Sequence, residues 1–261
     1  MPSNWGPMNI KRLILLLAAL SLPLLFPNVC NATWSVVAVD PKTKEVGVAG
    51  ASCTDFVFGV AGVVPGRGVI VAQAMSNMAA KRIGMKMLLE GASPREIIAT
   101  ITNPEFDSNF SLQQYGIAAL GFEGKSAAYT GTDTDDWKGA AQGYGVSVQG
   151  NTLPDARIIS KMLAAFENAS KNSELTLADR LMAALEAGAA DGGDRRCGQQ
   201  KARSAFIIVA RPTDDAKSPF LRINIPGQEE GGANPINLLR KEYDKWRRLE
   251  GRNRQVSTRA I

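Results

Sequence analysis

Thr33 is the residue of this sequence with the clearest potential for catalysis, because the segment before it has the pattern of a secretion signal. A basic pair precedes an uncharged apolar run over residues 13–26, and small residues stand at Cys30 and Ala32. This pattern predicts a signal peptide over residues 1–32 that is cleaved after Ala32. Cleavage would leave Thr33 with a hydroxyl and a free α-amine, and an amine with a pKa near ~8 can accept the hydroxyl proton. Thr33 would then supply both the nucleophile and the base for attack on an amide.

Other interpretations of this region have less support from the residues. The apolar run is shorter than the ~20 residues that cross a bilayer, and Pro23 interrupts it. Cleavage is therefore favoured over an uncleaved membrane anchor. Asn28 and Val29 are poor residues before a lipid-modified Cys30. For Thr33 itself a structural alternative stays open, namely that it only begins an edge strand.

The absence of histidine limits the chemistry of this chain. Catalytic Ser–His–Asp and Cys–His groups are excluded, and so are metal sites built on histidine. A hydrolase with this composition must use a carboxylate, a lysine or a free α-amine as its general base. The cysteines are not spaced like zinc ligands, so we expect no metal and no other cofactor.

Cys53 and Cys197 are the cysteines that remain once residues 1–32 are removed. In an oxidising compartment they could form one disulfide. The sequence cannot show that their Cα atoms lie close enough for a bridge. Two separate buried thiols are therefore an equal alternative.

The positive charge of the chain is concentrated at its C-terminus. The formal net charge is +5, and residues 238–261 hold eight Lys or Arg against three Asp or Glu, which also gives +5. The rest of the chain has no excess of positive charge, so we expect no nucleic-acid partner. A solvated charged helix is favoured for this segment over contact with an anionic membrane or a cell-wall polymer. Membrane contact is expected only through the signal peptide.

Alternating apolar residues and turn signals predict the elements that would position Thr33. Thr33–Asp40 and Glu45–Ala51 form a predicted hairpin, and Val69–Ala74 a third strand. The other predicted elements are helices over 81–90 and from Ser93 onward, a hairpin over 115–130, a strand over 143–149, helices over 154–169 and 175–190, strands over 206–210 and 220–225, and a charged helix over 236–251. Clustered strands and paired helices favour an α+β fold with helix pairs outside two packed antiparallel sheets.

The predicted domain organisation has three segments. Residues 1–32 are the signal peptide, and residues 33–226 form one domain that is long enough to bury a sizeable core. Residues 227–261 hold a linker rich in Gly and Glu, followed by the charged helix.

Ser52 and Gln73 are candidate substrate-binding residues. Each follows or closes a strand next to Thr33 in the expected topology, so they would line the same cleft. A purely structural role is the favoured alternative for both.

Asn151, Asp194 and Arg196 are further candidates at strand ends and loops. Asn151 follows Gln149-Gly150 at a strand end and could donate a hydrogen bond to an oxyanion, or it could satisfy the backbone of its own turn. Asp194 and Arg196 follow two glycines, where an arginine fork could bind a substrate carboxylate. A loop salt bridge explains that pair equally well.

From Thr33 to about Arg211 the chain resembles a bacterial family called domain of unknown function 1028, which is grouped with the N-terminal-nucleophile (Ntn) hydrolases. The resemblance is carried by the segments Thr33–Ala38, Glu45–Ala49, Val71–Ala74, Val148–Asn151, Ala184–Gly188 and Gly192–Arg196. It implies a four-layer αββα sandwich with Thr33 where related enzymes keep their nucleophile. The chain departs from the family pattern at residues 139–141, which lack a histidine. The third strand also has no lysine, which makes peptidase activity a weaker expectation.

The sequence as a whole predicts an exported, periplasmic or secreted Ntn-type amidohydrolase that is acylated on Thr33, with Asn151 as a second catalytic residue. The expected substrate is a small-molecule or peptide-like amide of unknown identity. The alternative is a non-catalytic periplasmic binding or interaction module on an Ntn-like scaffold, since fold does not fix function. Assembly into a homo-oligomer stays open.

Overall fold

A computed structural model describes residues 33–259 of the chain. The predicted signal peptide over 1–32, with its cleavage after Ala32, lies outside the described residues. Among the helices in the described range, none combines the length and the apolar character of a membrane span.

The strands of this range form two antiparallel sheets. Their bounds are β1 Thr33–Val39, β2 Val46–Ser52, β3 Ala61–Val64, β4 Gly68–Ala74, β5 Gln113–Ala119, β6 Ser126–Thr130, β7 Gly139–Gly143, β8 Val146–Asn151, β9 Ser204–Ala210 and β10 Leu221–Ile225. One sheet has six strands in the order β10-β9-β2-β1-β8-β7, and the other has four in the order β3-β4-β5-β6. β1 therefore lies in the interior of the larger sheet, which excludes the edge-strand alternative for Thr33.

Four of the five α-helices in the described range form two pairs along the chain, as predicted, and the fifth stands alone at the C-terminal end of that range. Their bounds are α1 Met78–Glu90, α2 Pro94–Ile101, α3 Arg157–Ser170, α4 Leu177–Ala190 and α5 Pro235–Arg259. α2 begins at the expected capping box, in which Ser93 and Glu96 exchange side-chain and backbone hydrogen bonds and Pro94 occupies the first turn. This arrangement satisfies backbone N–H groups that have no partner within the helix.

Three apolar clusters hold these elements together as an α+β sandwich. Val37, Val48, Val69 and Phe206 belong to the cluster between the two sheets. The outer face of the larger sheet packs against α3, α4 and α5 in a cluster that includes Trp34, Met162, Leu181 and Leu239. The outer face of the smaller sheet packs against α1 and α2 through Ile70, Leu88, Ile97 and Ile117. Helices thus cover the outer faces of two sheets that face each other.

The C-terminal helix α5 packs directly on this sandwich. Ile236, Leu239 and Tyr243 are buried in the same cluster as Trp34. The Tyr243 hydroxyl donates to Asp179 Oδ1 at 2.8 Å. The predicted linker over 227–235 therefore joins α5 to the body of the domain, and the first turns of α5 contribute to the core.

Two strands have no counterpart among the sequence-based predictions. β3 is short, and β7 (Gly139–Gly143) contains only Gly, Ala and Gln, without the β-branched residues that indicate strands. β7 is a strand because it pairs with β8 in register. The strand predicted over 143–149 begins at Val146, because Tyr144 and Gly145 form the turn between β7 and β8.

Candidate functional site

The candidate site is built around Thr33, the first residue of β1. Thr33 pairs with Ser52 at the end of β2 on one side and with Asn151 at the end of β8 on the other. Because side chains alternate along a strand, Thr33 lies on the same face as Ser35 and Val37, which is the face toward the smaller sheet. Three polar side chains from neighbouring strands therefore lie side by side at one end of the space between the sheets.

This space changes from apolar to polar along its length. Near the far end of β1 it is filled by valines such as Val37 and Val39. Toward Thr33 the inward positions are polar, and all of the following are buried: Thr33, Ser35, Ser52, Gln73, Gln114, Ser147, Gln149, Asn151 and Ser204. Buried amides and hydroxyls need hydrogen-bond partners, because leaving one unsatisfied costs about 1–3 kcal/mol. The arrangement of these groups is therefore tightly constrained.

Ser35 and Gln73 connect the two sheets directly behind Thr33. The Ser35 hydroxyl donates to Gln73 Oε1 at 2.6 Å and accepts from Gln149 Nε2 at 2.7 Å. Gln73 Nε2 donates to the Thr33 carbonyl oxygen at 3.2 Å. The backbone of the candidate nucleophile is thus held by a side chain from the opposite sheet.

Gln114, on β5, joins this network to Asn151. Its Oε1 atom accepts from Gln73 Nε2 at 2.7 Å and from Asn151 Nδ2 at 3.1 Å. Its Nε2 atom lies 2.9 Å from the Gly150 carbonyl oxygen. One buried amide therefore contacts both the residue that holds Thr33 and the candidate oxyanion donor.

Backbone strain accompanies the site on two of its strands. Ala74, which follows Gln73, has φ +63°, and Thr152, which follows Asn151, has φ +52°. Positive φ is uncommon for residues other than glycine, and for a β-branched residue such as Thr152 it is an outlier. Strain of this kind is concentrated at functional sites, where the surrounding structure must hold it.

Cys53 and Cys197 form a disulfide beside the site. Their Cα atoms lie 5.6 Å apart, across a sequence separation of 144 residues. Cys53 directly follows Ser52, so the bridge fixes the end of β2 next to Thr33. The question that the sequence left open is thus answered in favour of the bridge.

Asp194 and Arg196 form an ion pair that supports the same corner. Asp194 is fully buried, and its Oδ2 atom accepts from the Cys53 backbone N–H at 2.7 Å. Arg196 donates to both carboxylate oxygens, at 3.1 and 2.8 Å. The carboxylate of Asp194 is therefore engaged in holding the loop of Cys197 against the end of β2. The substrate-binding role of this pair stays a prediction.

Lys81 is a buried amine that the sequence reasoning missed. It lies in the first turn of α1, and its Nζ atom donates to the carbonyl oxygen of Gly59 in the β2–β3 connection. Burial lowers the pKa of Lys81, and the neighbouring positive charge of Arg82 lowers it further. The signal in the sequence is its helical spacing with Gly84 and Leu88, which also face inward. Lys81 anchors the connection that starts just after Ser52.

No metal centre is formed by the residues between 33 and 259, where no group of three His, Cys, Asp or Glu side chains converges. The polar groups around Thr33 are hydroxyls and neutral amides, which are weak ligands compared with thiolates, imidazoles and carboxylates. Their chemistry suits hydrogen bonding to an uncharged substrate or to an oxyanion.

A cavity of about 710 Å³ lies at the opposite end of the sandwich. It is lined by the β1–β2 turn, including Asp40 and Glu45, by the α3–α4 connection, and by Arg180 of α4. β1 has seven residues between the two ends, which corresponds to about 20 Å at the rise of a strand. This cavity is therefore separate from the Thr33 site.

Four of the predicted site residues come together in the structure: Thr33, Ser52, Gln73 and Asn151. Asp194 and Arg196 are adjacent to them through Cys53. Besides Lys81, the residues that sequence reasoning missed are Ser35 and Gln114, while Gln149 was seen only as part of a motif. A signal for them exists, because each is a polar residue at an inward position of a fully buried strand.

Comparison with known proteins gives a family without a known function. The model of the family described as DUF1028, a family of unknown function, matches residues 33–231. The crystal structure of protein SPO2555 from Silicibacter pomeroyi, which is also assigned to DUF1028, is similar with a TM-score of 0.67 and 28% sequence identity. The similarity covers 82% of this chain and 88% of that chain. No curated protein matches this chain.

Proposed function

We propose a function for this chain, which belongs to the DUF1028 family of unknown function, from the chemistry of its own residues. We propose that the protein is an exported Ntn-type amidohydrolase, in which removal of residues 1–32 makes Thr33 the N-terminal nucleophile. Its substrate is a small-molecule or peptide-like amide, and the protein acts in the periplasm or outside the cell.

The observation that carries the proposal is the position of Thr33. It begins an interior strand of the larger sheet, between Ser52 and Asn151, at the polar end of the space between the sheets. The family match begins at the same residue. Two facing sheets with helices on their outer faces agree with the αββα layering of Ntn hydrolases, and this agreement supports the assignment to that superfamily.

In the proposed reaction the Thr33 Oγ atom attacks the amide carbonyl carbon while the Thr33 α-amine takes the hydroxyl proton. The electron pair of the carbonyl π bond moves to oxygen, and Asn151 Nδ2 donates to this oxyanion. The intermediate collapses with cleavage of the C–N bond, and the ammonium group returns its proton to the leaving amine. Water then attacks the Thr33 ester and gives a proton to the same amine. The C–O bond to Thr33 Oγ breaks, the ammonium group returns the proton to this oxygen, and the carboxylic acid is released.

The other polar residues support this arrangement. Gln73 holds the Thr33 carbonyl oxygen, and the Asp194–Arg196 pair with the disulfide fixes the end of β2. We propose that Ser52, Gln73, Asp194 and Arg196 border the substrate.

The test begins with the N-terminus of the exported protein. Sequencing or intact mass should give Thr33 as the first residue. A β-lactone should then acylate the Thr33 Oγ atom by ring opening, which raises the mass by that of the whole probe. A mature chain that begins at any residue other than Thr33 would overturn the proposal.

Variants of Thr33 separate nucleophile from binding residue. Thr33→Ala should abolish labelling, and Thr33→Ser should keep part of it, because the hydroxyl and amine both remain. One extra residue before Thr33 should be as damaging as Thr33→Ala, because it turns the amine into an amide that cannot act as a base. Thr100→Ala, on the exposed surface of α2, is the matched control and should label like the parent. Normal labelling of the extended protein would contradict the mechanism.

The second candidate is a non-catalytic binding module. The cavity of about 710 Å³ at the far end of β1 favours it, because volumes of this size accommodate small ligands. If β-lactones leave correctly processed protein unlabelled, and ligand screening perturbs residues around Asp40 and Arg180, this candidate replaces the hydrolase.

A further inference from the structure

We infer that Gln114 is a positioning residue for the Thr33 site, because its amide fixes the direction in which Asn151 can donate a hydrogen bond. The inference rests on the proposed function. It assigns a role to a residue of β5, which belongs to the smaller sheet. Gln114 therefore reaches the site from the layer opposite β1.

The contacts of Gln114 reach both sides of the proposed reaction centre. Its Oε1 atom accepts from Gln73 Nε2 at 2.7 Å and from Asn151 Nδ2 at 3.1 Å. Gln73 in turn donates to the Thr33 carbonyl oxygen. Gln114 is fully buried, so water does not compete for these bonds. A single oxygen atom thus links the nucleophile strand to the candidate oxyanion donor.

The direction of the Asn151 amide follows from this bond. An amide oxygen has two lone pairs, and those of Gln114 Oε1 are both occupied by N–H donors. Asn151 must therefore turn its nitrogen, and not its oxygen, toward Gln114. Of the two hydrogens on Asn151 Nδ2, one binds Gln114, which leaves the other to donate to an oxyanion.

Gln114 also holds the backbone next to Asn151. Its Nε2 atom donates to the Gly150 carbonyl oxygen at 2.9 Å, and the Thr130 hydroxyl lies at the same distance from that nitrogen. The Gln114 amide thus fixes both the Asn151 side chain and the peptide bond that precedes Asn151. Thr152, with its strained φ of +52°, follows directly, so the bonds to Gln114 help to hold a conformation that the backbone would not adopt by itself.

Gln113 provides a matched control on the same strand. It is buried on the opposite face of β5, where its amide donates to Asp107 Oδ2 and accepts from the Tyr115 hydroxyl. These two bonds lie outside the polar layer around Thr33. Gln114→Met and Gln113→Met each remove one buried amide and leave polar partners unsatisfied, so both should reduce stability.

The experiment measures β-lactone acylation of Thr33 against pH in processed protein, by intact mass. Gln114→Met should lower the plateau rate by about 100-fold, the loss expected when a reacting group is misplaced by about 1 Å. The midpoint of the pH profile should not move, because the α-amine that sets it is unchanged. Gln113→Met should retain a plateau close to that of the parent. Gln114→Glu keeps the accepting oxygen, so it should recover part of the rate that Gln114→Met loses.

The outcomes separate the inference from the proposed function. If the parent protein is not labelled, the proposed function fails and the inference fails with it. If the parent is labelled and the two methionine variants lose the same rate, only the inference is wrong. A shifted midpoint with an unchanged plateau would also contradict it. If Gln114→Met does not fold, Gln114→Glu and Asn151→Ala decide. The NMR shift of the Asn151 side-chain amide shows whether Gln114→Glu keeps its bond to Asn151. Full labelling of Gln114→Glu without that bond, or normal labelling of Asn151→Ala, would overturn the inference.

Discussion

Removal of the Cys53–Cys197 disulfide should destabilise this protein strongly. The bridge closes a loop across 144 residues of sequence separation. For a loop of this length, the loss of unfolded-state entropy corresponds to about 5 kcal/mol at 25 °C, while measured effects are typically ~2–4 kcal/mol. The folded state should change little, because Asp194 still binds the Cys53 backbone N–H and the Arg196 side chain. We therefore expect a decrease of about 3–5 kcal/mol in the free energy of unfolding for Cys53→Ala/Cys197→Ala.

Guanidinium unfolding, followed by circular dichroism at 25 °C, measures this difference. The reduced and alkylated parent should match the double variant, since both lack the bridge. Intact mass of the exported parent should be lower by a pair of hydrogen atoms before reduction than after it. A decrease below about 1 kcal/mol, or two free thiols in fully oxidised protein, would refute the reasoning that the bridge acts on the unfolded chain.

Two further predictions concern packing and charge. Gly116→Ala would bring its Cβ atom into overlap with Gln149 Oε1 and should lower the free energy of unfolding by about 1–3 kcal/mol. Gly251 has open space around it in α5, so Gly251→Ala should raise the free energy of unfolding by about 1 kcal/mol. Melting curves of both variants check this contrast. Burial raises the pKa of Asp40, but the bond from Arg180 and two backbone amides outweigh it and leave the pKa below its usual value. The Asp40 carboxylate stabilises the folded protein at pH values above its pKa in the unfolded chain, which is about 3.9. This stabilisation is lost as the pH falls through the lower pKa that Asp40 has in the folded protein. Asp40→Asn should therefore flatten the acid limb of the stability profile, and an unchanged acid limb would contradict this.

The elements that depend on local residues could be predicted from the sequence. The β1–β2 hairpin follows from alternating apolar residues on both sides of a turn, and the start of α2 follows from Ser93, Pro94 and Glu96. β7 could not be predicted, because its Gly, Ala and Gln residues have low strand preference and only the pairing with β8 makes it a strand. The disulfide could not be predicted either, since it depends on two loops that are distant in sequence.

For the candidate site the sequence predicted the residues on strand ends but not the network behind them. Ser52, Gln73 and Asn151 follow from the topology of the strands around Thr33. Gln114 reaches Asn151 from the other sheet, and this contact depends on how the two sheets are stacked. A sequence carries no local signal for that stacking, although a polar residue at an inward strand position indicates that a partner must exist.

The difference between the two ends of the space between the sheets gives a physical reason to assign function to the Thr33 end. At the far end valines such as Val39 and Val46 fill it, and apolar packing of this kind stabilises a fold without directional requirements. Near Thr33 the same space holds buried amides that must all be bonded, because each unsatisfied group costs about 1–3 kcal/mol. Apolar residues could fill this space with fewer constraints, so the polar groups do not follow from the needs of the core. What they do provide is a fixed direction for the hydrogen-bond donors around Thr33, and a reaction that develops charge on an oxyanion requires that kind of preorganisation.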